Sequence, residues 1–479
     1  MKNPERLLGA LAAFLALGAC SLAPEYKQPE VPLAEHYQTV GPWMRGAPAD
    51  QLPREGWWKL YGDPRLDQLE QGLLTQNPDL AAALAHYQQS RDFLAEIRSD
   101  LVPHLSVGGN AQHDRESDNR PLRGATSPAV YNSFTLDAQV DYEVDLWGRV
   151  RDSVAAGTAQ AQASAADFAS ARLSLEVQLA DSYLALINQD RQLELLRKNI
   201  GEYEHALRIT RSLHDGGIVS GLDVTRAQSQ LSSTRSLLSQ TQAQRGLLEH
   251  SIAVLVGQSP SSFKLDTQTR LPELPAIPVG LPSTLLQRRP DIAAAERRVQ
   301  AANSQIGVAR AAFFPALTLS GQGGFQSDAY GALLSAPNLY WAIGPTLFLN
   351  VFDGGKRKAE VAAARAATEE AGARYRSVVL SAFQQVEDDQ TLLSDQAVAL
   401  VDQNNAVDAA QKTLDMSLDR YQQGAVNYLD VVVSQTAALQ AQMTQLDLQS
   451  RQLRSSVQLV RALGGGWSSD ELAVLHHTL

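Results

Sequence analysis

The sequence predicts a mainly α-helical, internally duplicated chain with two β-hairpins set among long helices. Three observations predict it. The chain is written twice, in register, over more than a hundred residues. No proline interrupts the stretches between Pro128 and Pro260 or beyond Pro345, which are rich in Ala, Gln and Leu. Each half also carries segments in which apolar and polar residues alternate with period two, the mark of a strand with two unlike faces.

The 479 residues carry a net charge of −11, with a pI near 5.4. That balance argues against a nucleic-acid partner, which calls for a basic face. Lys2 and Arg6 precede the apolar run LLGALAAFLALGA, which ends in LGAC. Leu17 lies three residues before Cys20, with small Gly18 and Ala19 between, so residues 1–19 read as a signal peptide with a lipidation box. The run is too short, at roughly a dozen residues, to be a comfortable membrane span. Cys20 is the sole cysteine, so no intrachain disulfide is possible. Its expected modification is a covalent lipid, and no cofactor or metal is expected. By resemblance to bacterial lipoproteins, Ser21 rather than Asp after the cysteine implies the outer membrane, with the mature chain reaching into the periplasm. Residues 20–66 carry Pro24, Pro29, Pro32, Pro42, Pro48 and Pro53 and read as an extended arm.

The first repeat is expected over 67–257, a linker over 258–287, the second repeat over 288–464, and a tail over 465–479. QNPDLAAALAHY (76–87) matches RRPDIAAAERRV (288–299), pairing Pro78 with Pro290 and Pro103 with Pro315. HDGGIVSGLDV (214–224) matches YQQGAVNYLDV (421–431), and the register persists to Gly257 and Gly464. The offset shortens by five between Pro103 and Gly148, so that segment holds a loop of free length. Each repeat opens on a helix, 79–101 or 291–313, that a proline stops. A hairpin follows, about 104–147 and about 316–352.

FTLDAQVDYEVDLW (134–147) shows the pattern best. Phe134, Leu136, Ala138, Val140, Tyr142, Val144 and Leu146 share one face, and Asp137, Asp141, Glu143 and Asp145 share the other. In its counterpart, Trp341, Ile343, Leu347, Leu349 and Val351 share a face, and Pro345 marks an edge or a bulge. Long helices come next. One over 149–214 is about 100 Å long at 1.5 Å per residue. It carries Leu173, Val177, Ala180, Leu184 and Ile187 at coiled-coil spacing. It turns at 215–221 and returns to Gly257. The second half repeats this as 356–423 and 428–463.

Strands this long and this two-faced fit tilted membrane strands, the acids lining water. In hydrocarbon every backbone N–H and C=O must be paired, so the sheet must close without an edge. Four strands cannot close a bacterial barrel, whose smallest examples have about eight. Several chains must share one barrel; two copies would give a filled barrel and three would begin to leave a lumen. A soluble β-sandwich or hairpin pair with one wet face is the alternative reading.

WWKLYGDPRLDQLEQGLLTQNPDL (57–80), YEVDLWGRVR (142–151), RRPDIAAAERRVQAANSQIGVARAAFFPALTLSG (288–321), FDGGKRKAEV (352–361) and ALGGGW (462–467) together resemble the outer-membrane factors of tripartite efflux systems. These are the TolC-like family, here in its NodT-type lipoprotein branch. The resemblance implies a homotrimer with a twelve-stranded barrel, a twelve-helix periplasmic α-barrel and an equatorial belt. It implies a passive exit duct for drugs or other small molecules. Its partners would be a periplasmic adaptor protein and an inner-membrane pump, of the resistance-nodulation-division type. A protein-secretion duct and a periplasmic coiled-coil scaffold are the competing functions. Bilayer conductance and a heat-modifiable trimer separate a duct from a scaffold.

The turns SGLDV (220–224) and NYLDV (427–431) read first as helix caps, Ser220 or Asn427 followed by Asp223 or Asp430 in the positive first turn. Read functionally, three copies would place six carboxylates at the mouth of a tube, favouring cations. The resemblance implies that Asp430 and Tyr421 occupy gate positions, with Asp223 the equivalent acid of the first turn. It implies that Gly217, Ile218, Val219, Gly424, Ala425 and Val426 are tips on which adaptor hairpins dock. Some relatives carry an acid where this chain has Val433, or an arginine where it has Val426, which implies a less charged gate here. No HExxH, phosphate loop or nucleophile elbow occurs, so no enzyme is expected.

Overall fold

The structure, a computed structural model, describes residues 21–31, 56–119, 124, 128–277 and 285–469. Cys20, the signal segment, much of the arm and the tail beyond residue 469 lie outside the described residues. The chain divides into two compact units. One takes the described residues within 1–29, 87–164 and 295–375, the other those within 30–86, 165–294 and 376–479.

Seven α-helices of 13 or more residues and four strands are described. They are α1 (Pro64–Gln76), α2 (Pro78–Ser99), β1 (His104–Arg115), β2 (Val130–Val144), α3 (Arg149–Asp215) and α4 (Gly221–Leu255). Then come α5 (Pro290–Ala311), β3 (Ala316–Ser327), β4 (Leu339–Phe348), α6 (Lys356–Gln422) and α7 (Tyr428–Ala462). The elements recur at matched lengths: α2 and α5 have 22 residues, β1 and β3 have 12, α3 and α6 have 67, α4 and α7 have 35. Among the described residues, no helix is long and apolar enough to cross a membrane.

In the first unit the four strands form one antiparallel sheet in the order β1-β2-β3-β4. Pro345 pairs with Leu319 on β4, an edge strand, where a missing N–H costs no ladder bond on the open side.

In the second unit the stretch read as an extended arm proves partly helical. Trp57–Tyr61 is a 3₁₀ turn whose Trp57, Trp58 and Tyr61 are buried. Trp57 Nε1 donates to Glu176 Oε2 at 3.0 Å, and Tyr61 shares a hydrogen with Ser456 Oγ at 2.7 Å. Proline content could not reveal that anchoring, because the aromatic cluster forms only against α3 and α7. Asp63 then caps α1, accepting from Arg65 N and Leu66 N, with Pro64 at the first helical position. Leu66, Leu69 and Leu73 face a core shared with Val177, Leu184, Ile187, Ile252, Leu453 and Val457. The linker after α4 is packed as well as irregular: Phe263, Leu265 and Ile277 are buried. Arg245 holds it, donating to Asp190 and to the Leu265 carbonyl at 2.7 Å each.

Two joints in this unit answer one another. Asn77 closes α1, accepts from Leu80 N to cap α2, and donates to the Leu255 carbonyl at 2.8 Å. Arg289 precedes α5, grips Asp291 through two nitrogens, and donates to the Ala462 carbonyl at 3.0 Å. Beside them, Gly257 packs on the Gln76 carbonyl and Gly464 on the Arg288 carbonyl.

Glu70 is fully buried on α1, and neither carboxyl oxygen has a hydrogen-bond partner among the described residues. Burial, reinforced by Glu176, holds its carboxyl well above the usual range. An acid raised in the folded state loses stability as pH climbs past its unfolded value. Glu70→Gln is therefore expected to melt with wild type near pH 4 and several degrees above it at pH 8. Equal melting temperatures at both pH values would refute a raised Glu70 carboxyl.

Candidate functional site

In the first unit the sequence-predicted strand faces emerge with one side apolar and one polar. Register places Leu105 beside Val140, Val140 beside Gly321, and Gly321 beside Ile343. Val107, Ala138, Gly323 and Trp341 form the next row. These large side chains have no cover: Leu105, Val107, Trp341 and Ile343 are each at least 70% exposed. Small residues at 321 and 323 leave a groove of about 650 Å³ between Tyr142 and Trp341 on this face. An apolar surface of this kind on a water-facing sheet would be an aggregation liability. Among the described residues, the outer strands β1 and β4 each present an unpaired edge.

On the other side, Gln139 aligns with Ser106 and Gln322, and Asp141 with His104 and Ser320. Ser320 donates to Asp141 Oδ1 at 2.7 Å. The four acids expected to line water divide into two kinds. Asp137 and Asp141 stand on the polar face within the ladder. Glu143 is gripped by Arg149 through two nitrogens at 2.6 and 2.7 Å. Asp145, beyond the strand, accepts from the backbone N–H and the guanidinium of Arg151 at 2.9 and 3.1 Å. The lower pair thus fastens strand to helix and contributes less free charge than its count suggests. At the same foot Trp147 donates to the Pro315 carbonyl at 2.8 Å and stacks on Phe314 at 4.6 Å.

In the second unit the turns between α3 and α4 and between α6 and α7 share one geometry. Gly217 and Gly424 both have φ of 72°, the left-handed conformation. Ile218 N donates to the Leu213 carbonyl and Ala425 N to the Arg420 carbonyl, closing each helix with a six-residue loop. Ser220 caps α4 through Leu222 N, and Asn427 caps α7 through Leu429 N, as the spacing predicts. Asp223 and Asp430 follow in the first turns. Ile218, Gly217, Gly424 and Ala425 are exposed, while Val219 and Val426 are half-buried.

The two acids are not equivalent. Asp223 lies 3.5 Å from Arg226 Nη1. The matching position beside Asp430 is Val433, 59% exposed, and Asp430 stands exposed with no ion pair among the described residues. Tyr421 is half-buried, its ring edge-to-face with Tyr428 at 5.2 Å. Tyr203, Leu207, Leu231, Tyr428 and Val431 form the core beneath both turns. Burial pushes the Tyr428 phenol up to about 12. Among the described residues no group of three or more His, Cys, Asp or Glu could hold a metal ion.

Comparison with known proteins agrees with this architecture. The family model described as outer membrane efflux protein matches residues 69–258 and 281–465. The chain is 32% identical to the pyoverdine export outer membrane protein OpmQ of Pseudomonas aeruginosa, covering 98% of both. It is 32% identical to the toluene efflux pump outer membrane protein TtgC of Pseudomonas putida, covering 96% and 95%. Among solved structures, the outer-membrane channel OprN superposes with a TM-score of 0.85 at 28% identity, covering 94% of this chain and 100% of that one. The Campylobacter jejuni CmeC outer membrane channel, at 23% identity, has the same fold with a TM-score of 0.89 over 96% and 98%.

Proposed function

The chain belongs to the outer membrane efflux protein family, and from that membership we propose that it is the exit channel of a tripartite export pump. It forms a homotrimer in the outer membrane, and an inner-membrane transporter delivers drugs or other small molecules through a periplasmic adaptor. One observation carries the proposal: a four-stranded sheet with an uncovered apolar face and two unpaired edges. Such a sheet is stable in lipid only when neighbouring copies seal it, because unpaired backbone groups in hydrocarbon cost several kcal/mol each. Three copies give twelve strands, with Asp137 and Asp141 facing the lumen.

The paired joints support an origin by duplication. Asn77 and Arg289 reach carbonyls at equivalent positions, Leu255 and Ala462, and the family model matches each half separately. Acylation of Cys20 follows from the lipidation box. The turn tips, Gly217 to Val219 and Gly424 to Val426, are the adaptor contacts of this reading. Asp430 is its gate acid, because Asp223 shares its charge with Arg226.

The test is conductance. Purified protein is expected to run as a heat-modifiable trimer and to conduct ions in planar bilayers with cation preference. Asp430→Ala is expected to raise the leak or reduce that preference by about twofold or more, whereas Asp223→Ala has the smaller effect. A monomer without conductance would overturn the channel reading. Unchanged selectivity in Asp430→Ala would remove that residue from the gate.

A further inference from the structure

The apolar face of the sheet carries a groove whose floor the fold itself does not require. On this face β3 reads Leu319, Gly321, Gly323 and Phe325. Register sets Gly321 between Val140 and Ile343, and Gly323 between Ala138 and Trp341. Glycine in mid-strand weakens a sheet, and it is kept for a special backbone conformation, a crowded spot or the close approach of something else. The first two reasons fail here. Neither glycine has a positive φ. A Cβ on Gly321 would come no nearer than 3.8 Å to Ile343, and one on Gly323 no nearer than 3.7 Å to Trp341, both ordinary contacts. Gly324, on the polar face, is the contrast: a Cβ there would overlap the Leu136 carbonyl oxygen.

The missing side chains leave the groove of about 650 Å³. Val140 and Tyr142 on β2 form one wall, Trp341 and Ile343 on β4 the other, and no charged side chain lines it. The strands that carry the walls lie roughly 9–10 Å apart, twice the strand spacing, which leaves room for a hydrocarbon chain between facing side chains. The floor is an inner strand, so pairing between copies at β1 and β4 leaves it open. The groove is continuous with the uncovered apolar face, and the chain belongs to an outer-membrane family, so the solvent that meets it is lipid. Pro103 and Tyr142 line the end nearest α2 and α3. In the exit channel that end faces the periplasm, where the outer membrane's leaflet is phospholipid. Tyrosine there suits the boundary between hydrocarbon and headgroups.

We propose that the groove over Gly321 and Gly323 is a binding site for one acyl chain of a phospholipid from the periplasmic leaflet. The chain enters beside Tyr142, at the level of the glycerol esters, and lies on the glycine floor between Val140 and the Trp341 ring. A lipid held in this way stays with the protein when the surrounding bilayer is stripped. The site rests on the exit-channel reading, and its test separates the two.

The experiment uses the full-length trimer extracted in a mild detergent, with bound lipid counted by native mass and identified after release. Wild type is expected to retain phospholipid. Gly323→Leu, which fills the floor, is expected to lower its occupancy about tenfold, the effect of uncovering about two methylene groups. Gly344→Leu adds the same bulk on the polar face, where a Cβ meets nothing within 4 Å, and is expected to leave occupancy unchanged. Only variants that run as heat-modifiable trimers are compared. Should Gly323→Leu fail to assemble, labelling of wild type decides. In vesicles of phosphatidylethanolamine carrying a photoreactive diazirine midway along one acyl chain, label is expected to concentrate on the segments Ala138–Tyr142 and Trp341–Ile343. Wild-type trimer free of phospholipid, Gly323→Leu occupancy within about twofold of wild type, or label spread evenly over the apolar face would overturn the site. Release of lipopolysaccharide, or of an acyl group carried by the chain itself, in place of phospholipid would overturn the occupant. A monomer without conductance sinks the channel reading, whereas a conducting trimer that holds no phospholipid sinks the groove alone.

Discussion

Gly464→Ala is expected to cost more stability than any other single methyl group added to this chain, with Gly257→Ala close behind. Both glycines end a long helix with positive φ, 93° and 70°. That conformation alone costs an L side chain about 1–3 kcal/mol. Steric overlap costs more. At Gly464 the new carbon would fall inside the Arg288 carbonyl oxygen, and at Gly257 inside that of Gln76. Neither carbonyl can swing aside, because each sits at a helix boundary fixed by its neighbour, Arg289 or Asn77. The whole joint must open, and a loss above about 4 kcal/mol follows from overpacking a buried backbone. Denaturant unfolding followed by helical signal would measure it. Alanine at either position with a midpoint unchanged from wild type would show that these joints are loose.

The second large effect is Ile343→Arg. Ile343 is 79% exposed, so in water the change would cost almost nothing, within about 0.5 kcal/mol. Facing the middle of a bilayer, the same arginine costs about 2–4 kcal/mol per copy. Every copy in the assembly carries it. Membrane insertion is expected to collapse, with the protein accumulating outside the membrane fraction. Gln322→Lys, on the opposite face of the neighbouring strand, is the control, expected to insert normally and shift only ion preference. Insertion of Ile343→Arg at the wild-type level would place the apolar face in water.

Much of this was legible because period and register need no tertiary information. Pro103 and Pro315 stop helices at equivalent places, and the alternation from Phe134 to Val144 predicts the strand face residue by residue. Gly217 and Gly424 announce their turns. What the sequence withheld are contacts made across distance. Glu70 stands in LEQG, a pattern that reads as a polar helix face, and only the packing of α3 encloses it. Trp57–Tyr61 follows a proline-rich stretch and continues it by composition, yet folds into the core. Glu143 and Asp145 complete an acidic stripe by spacing, while Arg149 and Arg151, six residues further on, draw both off it once the chain bends from strand to helix. Arg310 on α5 donates to the Leu22 carbonyl across nearly three hundred positions. No periodicity reports such a pairing.

The bare rims of the sheet have a genetic consequence. A copy that cannot mate at one rim still offers the other, so it can join healthy siblings and spoil the wall they would have completed. In the proposed trimer, equal expression of a sound and a rim-defective allele leaves roughly one assembly in eight wholly sound. Lesions there should behave as dominant poisons, whereas lesions that prevent folding altogether should be recessive.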